Sequence, residues 1–537
     1  MVSRPGRSGE MLAARDASDG RFAATGNAGV SAGFALLVVA AAELTGIAVA
    51  VSPRLSLVAA LALALVALVY TRPAIGAYLV VGVTPLVVGI DRGVVIPFFR
   101  PSEALALIIG GTLAARGLLA LEPGRLPRFR PDRLELSLVG LAVASSIVPI
   151  AFMMLRGREV SSDDLVYALV LWKYLGVYGI IRFSVVNERQ VLRCLWIAVA
   201  AAAVVALLAI LQALDLLGVR ALLAHYYAPF GYVGALDNPR AGSTVSLPAA
   251  AADLIIMNLA IVAGLWSRYR RHGPLLIALS GLFVLGAVAS GEISSALGLI
   301  LGVGAIALVT RSLRSLFYLP FAALVVVLVM RPVIEHRLQG FETTAGIPAS
   351  WIGRLHNLQN YFWPDLFSGW NFLLGVRPAA RVSVPSQATG YVWIESGYTW
   401  LLWSGGLPLL IAFLYFVKVA ASRTWDTSRQ ATGSLSVAGI ASFTGVVVVT
   451  ALMVFDPHLT YRGSADLLFA LLAMTGIYAR AIAARHDDQS DHGLASASRG
   501  HPRTLDQSDH VLAPASRGHP RTRGESLRTA DERPMEE

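Results

Sequence analysis

Again and again this chain runs apolar and almost uncharged for the length of a membrane span. That pattern narrows its possible folds more than any other feature. A helix needs about 20 apolar residues to cross roughly 30 Å of hydrocarbon. In lipid, only helices and closed barrels satisfy their own backbone polar groups. Such stretches lie near 33–51, 55–70, 74–90, 102–121, 134–155, 165–183 and 191–214. More follow near 247–266, 274–289, 293–310, 315–330, 393–417, 434–455 and 465–478. That makes about 14 helices, with several shorter than the ideal length. Alanine, leucine and valine dominate all of them, so the polar interruptions must set their ends. Composition agrees: 55% of the 537 residues are hydrophobic and 15% are charged. Mean hydropathy is +0.63, outside the usual range of soluble domains.

The expected fold class is an all-α integral membrane protein of about 12–14 transmembrane helices. The expected divisions are a disordered cytoplasmic N-terminus (1–32) and a membrane bundle (33–330). A large, partly helical extracytoplasmic loop (331–392) and C-terminal membrane helices (393–480) come next, then a disordered cytoplasmic tail (481–537).

Lysine and arginine stay on the cytoplasmic side of a membrane, which orients the stack. EPGRLPRFRPDR (122–133), SRYRRHG (267–273) and RSLR (311–314) fall on one side by parity, together with both termini. The short loops carry roughly 20 basic residues on that side against roughly 13 on the other. Both termini are therefore expected in the cytoplasm, and the long loops 215–246 and 331–392 outside. The net charge of +10 is largely this topological signal plus the tail. It gives no reason to expect nucleic acid as a partner. The polar, Arg-bearing first 30 residues precede a span without a small-residue cleavage site, so an uncleaved anchor is expected.

Cys194 is the only cysteine, so the outer loops must hold their shape by packing and hydrogen bonds. The tail repeats itself: DQSDHGLASASRGHPRT (488–504) recurs as DQSDHVLAPASRGHPRT (506–522). Both 17-residue copies are polar and lack apolar periodicity. Their histidines lack the tight spacing of a metal site, so a duplicated disordered tail is the reading.

A charge inside a span is costly and needs water or a partner. Glu43, Lys173, Asp253 and Glu292 are the candidates. Glu43 or Asp253 is placed to pair with Lys173, either in function or as an ion pair that fixes helix register. Glu292 follows a Ser-Gly pair that reads as an outward hairpin, where it is expected to be wet.

The outer loops say more. GALDNPRAGSTVSLP (234–248) runs straight into a span, which puts Arg240, Ser243 and Thr244 at the outer surface near lipid headgroups. A guanidinium there can grip two oxygens of a phosphate or pyrophosphate, or it can simply snorkel to lipid phosphate. In WIGRLHNLQNYFWPDLFSGW (351–370), Ser350 is a candidate helix N-cap and Pro364 a stop near Trp363. Trp351, Leu355, Leu358 and Phe362 would form one apolar face, with Arg354, Asn357 and Tyr361 along its flank. His356, two residues from Arg354, falls on the far side at about 100° per residue. Arg354 is thus the better candidate for a site. Further on, Glu395 and Tyr398 lead into a span with the Gly405–Gly406 pair, where small residues allow close helix packing. Glu395 is either a general base, an orienter of an acceptor hydroxyl, or an exposed rim acid.

Taken together, NPRAGSTVSLPAAAADLIIMNLAI, IGRLHNLQNYFWPDLFSGWNFLLGVRP and ESGYTWLLWSGGLPLLIAFLYF resemble the O-antigen ligase and polymerase (Wzy-like) family of bacterial integral membrane glycosyltransferases. The resemblance spans roughly 33–478, with its motifs clustered in 215–416. It implies a GT-C-like bundle in the bacterial inner membrane. It also implies glycan transfer from an undecaprenyl-pyrophosphate carrier to an acceptor sugar on the outer face, without metal, nucleotide sugar or other cofactor. Arg240 and Arg354 match the family's pyrophosphate arginines; Arg337 and Arg377 are further candidates, and Tyr398 a substrate contact. Arginines aimed at a departing pyrophosphate would lower the barrier. Ligases carry a catalytic His where this chain has Glu395–Ser396, so a polymerase fits better than a ligase. Membrane lipid and other polysaccharide-assembly proteins are the further partners implied. The alternatives are a secondary transporter or flippase for a lipid-linked glycan, favoured by the intramembrane charges, and a scaffold without chemistry.

Overall fold

The computed structural model describes residues 53–96, 99–120, 131–227, 240–269, 272–311, 319–339, 348–385, 387 and 390–479, with Val39 and Glu43. Each helix starts and stops for a local reason. Helices α1 (Pro53–Thr71), α2 (Pro73–Val87) and α3 (Pro101–Leu119) all begin on proline, whose fixed φ suits a first turn and whose missing N–H is not needed there. Asp132 caps α4 (Arg133–Leu155) by accepting from the Glu135 amide. Ser161 caps α5 (Ser162–Ser184), and Asn187 caps α6 (Glu188–Ala213). The short α7 (Val219–Tyr226) is followed by α8 (Pro248–Tyr269), α9 (Gly273–Ala289) and α10 (Ile293–Thr310).

Beyond α11 (Leu319–Val329), the large loop builds α12 (Arg331–Gln339) and α13 (Ala349–Asn357). It ends in a small antiparallel hairpin, β1 (Arg381–Ser383) with β2 (Tyr391–Trp393), that sequence periodicity did not announce. The chain returns to the bundle through α14 (Gly397–Gln430), α15 (Gly433–Leu452) and α16 (Ser464–Ala479).

Among the described residues, eight helices are long and apolar enough to cross a membrane, and four shorter apolar helices accompany them. From residue 53 onward the helices fall close to the expected spans. Only Val39 and Glu43 of the first expected span are described, both helical and exposed. The N-terminus, most of the basic loop 122–133 and the duplicated tail lie outside the described residues.

Helix α8 is the hub, with 89% of its apolar window buried inside the protein. Lipid offers helices no hydrophobic incentive to associate, so close approach of small residues does that work. A Cβ on Gly302 would meet Ile256 at 2.7 Å, and one on Gly286 would meet Ala206 at 2.7 Å. The outer helices keep large apolar side chains facing outward, such as Leu61 and Ile300. The charged ends sort into two groups. At one end, Arg182 pairs with Glu135, Arg423 with Asp132, and Arg268 reaches the Ser428 carbonyl. The other end gathers the described segments around 156–164, 240–246, 290–293, 331–339, 348–385, 390–396 and 453–463, through contacts such as Arg337–Glu292, Arg354–Asp456 and Arg377–Asp164. This sorting matches the parity read from the sequence.

The Gly405–Gly406 pair has a definite job. Gly406 adopts φ of 63° inside α14, two residues before Pro408. A Cβ there would strike the Leu373 carbonyl at 2.3 Å, and one on Gly405 the Ala144 carbonyl at 2.4 Å. The break frees the Trp403 carbonyl, which accepts from the Val376 amide at 2.7 Å. Trp403 Nε1 in turn donates to the Ala379 carbonyl. The kink is therefore the socket that holds the large loop against the bundle.

Candidate functional site

Three arginines from three separate stretches converge at the loop-bearing end. Arg240 lies in the segment that leads into α8, Arg337 in α12 and Arg354 in α13. Arg240 Nη1 lies 3.3 Å from Glu292 Oε1, and Arg337 Nη2 lies 3.1 Å from Glu292 Oε2. Arg337 Nε also donates to the Gly291 carbonyl. Glu292, expected to be wet, is instead a largely buried bridge between two guanidinium groups. The Ser290–Gly291 turn that precedes it is present, with Gly291 at φ of 62°.

Arg354 Nη1 lies 2.8 Å from Asp456 Oδ2, and Arg354 Nε lies 3.8 Å from Glu395 Oε1. Asn357 Nδ2 donates to Glu395 at 3.3 Å. The flank read along α13 thus holds: Arg354 and Asn357 face one partner while His356 stays exposed. Glu292, Ile293, Ser294, Arg337, Ser350, Trp351 and Arg354 line one small polar pocket. It has room for about one water. The site's three arginines balance three carboxylates, Glu292, Glu395 and Asp456.

Burial pushes the Glu395 carboxyl above its ordinary value, with Arg354 pulling the other way. Asp456 is raised for the same first reason, although Arg354 and His458 both oppose it. Burial works against the Arg354 guanidinium, yet Asp456 and Glu395 outweigh it and hold that group above its ordinary value. Arg337 is lowered, by burial first and then by its neighbours Arg240 and Arg354.

Several expectations change. Ser350 is not a cap, because Pro348 takes the N-cap position and Ser350 lies inside the helix. Pro364 does not stop it either. Residues Leu358–Phe362 form a π-helical turn, and the helix resumes as Trp363–Leu366 with Pro364 in its first turn. The wider turn relieves the clash a proline makes with the preceding turn. Of the expected apolar face, Leu358 and Phe362 are buried, while Trp351 and Leu355 are exposed.

Ser243 and Thr244 are enclosed by protein rather than open at the bundle end. Ser243 Oγ donates to the Val205 carbonyl and Thr244 Oγ1 to the Pro85 carbonyl, each at 2.8 Å. Val205 lies two turns inside α6, so the segment dips into the bundle. Irregular backbone is tolerated at such depth only where protein surrounds it. Ser243 and Ser246 both hold positive φ there, strain of the kind that collects at functional sites.

Arg377 belongs elsewhere. It grips Asp164 through Nε at 2.9 Å and Nη2 at 2.6 Å, away from the three-arginine cluster. Tyr398 is also committed, its hydroxyl donating to the Thr450 carbonyl at 3.0 Å. Lys173 pairs with Asp466 at 2.9 Å rather than with Glu43 or Asp253. Asp253 pairs with His458.

Sequence reading passed over FDPHLTYRG (455–463), the turn between α15 and α16. It supplies Asp456 to Arg354, and Trp351 stacks near Phe455 with ring centroids 5.1 Å apart. The signal was there: an Asp, a His, a Tyr and an Arg crowd a short turn between two spans. Among the described residues, no three His, Cys, Asp or Glu side chains gather as metal ligands would.

Fold and site together define a multi-pass, all-α membrane protein with an arginine–carboxylate cluster at one end of its bundle. No family model, curated protein or solved structure matches the chain.

Proposed function

We propose that this protein transfers a glycan from an undecaprenyl-pyrophosphate carrier to an acceptor sugar on the outer face of the bacterial inner membrane, as a polysaccharide polymerase rather than a ligase, in a GT-C-like bundle. The observation that carries the reading is a cluster in which Arg337 and Arg354 line one pocket and Arg240 joins them through the shared Glu292. Guanidinium forks suit the paired oxygens of a diphosphate, and charge gathers there as the sugar–phosphate bond breaks. Glu395, beside Arg354 at the rim, would orient the acceptor hydroxyl. The resting carboxylates would have to give way: a diphosphate takes the place of Asp456 and Glu292 on the arginines.

A flippase is the competing outcome, and one experiment separates the two. A strain lacking the protein should accumulate carrier-linked single units on the outer leaflet, where periplasmic enzymes reach them. Accumulation on the inner leaflet would sink the transferase reading. Sidedness has its own check. Ser383 is exposed on β1 and Arg189 is exposed at the opposite end. In a Cys194→Ala background, Ser383→Cys should react with an impermeant thiol reagent in intact cells, and Arg189→Cys should not. The reverse pattern would invert the proposed orientation.

A further inference from the structure

Behind the arginine cluster lies a buried acid–imidazole pair. Asp253 sits in the second turn of α8, and His458 in the 3-10 turn His458–Thr460. His458 Nδ1 and Asp253 Oδ2 are 2.6 Å apart, and each side chain is 1% exposed. The other atom of each group, His458 Nε2 and Asp253 Oδ1, is buried and has no hydrogen-bond partner. Leaving two polar atoms unmet inside a bundle costs free energy, and such atoms call for an explanation.

Lys173–Asp466 offers a contrast on the next helix. Asp466 Oδ2 accepts from Lys173 and from the Gly463 amide, and its Oδ1, without a hydrogen bond of its own, lies 2.9 Å from the Lys173 ammonium. The Asp253–His458 pair instead ends in an open ring nitrogen. Its surroundings are those of the site. Asp456, two residues away, holds Arg354, and the His458 amide donates to the Asp456 carbonyl at 2.7 Å. The Tyr461 ring lies 4.6 Å from the imidazole. The titratable and charged groups around it are therefore Asp253 on α8 and Asp456 and Tyr461 on its own segment, with Arg354, Glu395 and Glu292 beyond Asp456.

We propose that Asp253 and His458 form the proton-accepting dyad of this site, with His458 Nε2 the atom that takes the proton of the acceptor hydroxyl. This rests on the glycosyl-transfer reading. The hydroxyl O–H bond breaks towards Nε2 as its oxygen bonds the anomeric carbon. The bond from that carbon to the diphosphate breaks, and its electron pair leaves on the diphosphate oxygen, against the arginines. Asp253 fixes the Nδ1–H tautomer and stabilises the imidazolium that results, the role an acid plays behind a catalytic histidine elsewhere. A diphosphate must part Arg354 from Asp456, and Asp456 is two residues from His458 on the same turn.

The test measures initial rates with carrier-linked units extracted from a strain lacking the protein. His458→Gln and Asp253→Asn should each lower kcat by at least about 10², with KM changed less than about threefold. The acid limb of the wild-type pH–rate profile should vanish in His458→Gln and persist in Glu395→Gln. Imidazole added to His458→Ala should restore part of the rate, which a packing role would not allow. Wild-type kcat in both His458→Gln and Asp253→Asn would overturn the proposal, as would loss of the acid limb in Glu395→Gln alone. Should His458→Gln fail to fold, Asp253→Asn carries the same comparison. If Arg354→Ala is fully active as well, the transfer reading itself has failed rather than the dyad alone.

Discussion

Arg354 and Arg377 sit at the same end of the bundle, each on a carboxylate that the protein hides, yet the two pairs are built differently. Asp164 is fully enclosed and saturated: Arg377 grips it twice, and Ser161 and the Ala379 amide donate as well. It also caps α5 through the reciprocal Ser161 contact. Asp456 receives one close guanidinium contact, from Arg354, and burial holds its carboxyl above the ordinary value. A saturated carboxylate is a lock. One that is underserved can exchange its partner for a ligand, and that difference separates anchor from site more reliably than the presence of an arginine does.

Substituting each arginine should break the comparison in opposite ways. Arg354→Ala should cost on the order of 10²–10³ in transfer rate, by analogy with a lost oxyanion-hole donor, while the protein still inserts and melts nearly as wild type. Arg354→Lys should recover part of that loss, since it keeps the charge without the fork. Arg377→Ala should instead destabilise by about 3 kcal/mol, the low end for orphaning a buried charge, because Arg377 is itself 35% exposed. Rates at matched protein levels and melting in detergent read the two effects apart. Normal activity in Arg354→Ala with a dead but stable Arg377→Ala would exchange their roles.

A smaller effect concerns pH. With its carboxyl raised in the fold, Asp456 holds its proton more tightly folded than unfolded. The stability it contributes is complete below the ordinary carboxylate value and is lost as pH rises through the raised one, at about 1.4 kcal/mol for each unit of difference. Asp456→Asn should flatten that slope while Asn still accepts from Arg354. A wild-type melting curve that climbs over the same window would mean the group is held low, as a lock would be.

Much of this was legible beforehand because lipid leaves so few options. Helix positions followed from apolar runs, and sorting of the two ends followed from parity. Arg354 could be separated from His356 by counting degrees around a helix. What escaped were contacts made by backbone irregularity. A π-helical turn lets α13 run through Pro364, which no propensity argument about proline foresees. The dip at Ser243 depends on positive φ in ordinary residues, held by carbonyls that only tertiary structure supplies. Glu292 and Arg337 meet across 45 residues, and Lys173 finds Asp466 across 293. Sequence could name these charges but not pair them. FDPHLTYRG was overlooked because a short turn between two spans looked like mere connection.

The smallest expected effect is also the most exacting check on the comparison, because it concerns the nearest neighbour of the key arginine. His356 lies two residues from Arg354 on the same helix, exposed. Rotation by about 200° between them puts its ring on the opposite side from Asp456 and Glu395. His356→Ala should therefore leave transfer within about twofold and stability within about 0.5 kcal/mol, as for surface changes generally. The same substitution at Arg354, one half-turn away, is expected to cost hundreds-fold. Polymer yield and accumulated carrier-linked units, measured side by side for both variants, decide the matter. An inactive His356→Ala beside an active Arg354→Ala would show that α13 presents its other face to the substrate. The cluster of arginines would then be a second lock, like the one on Asp164.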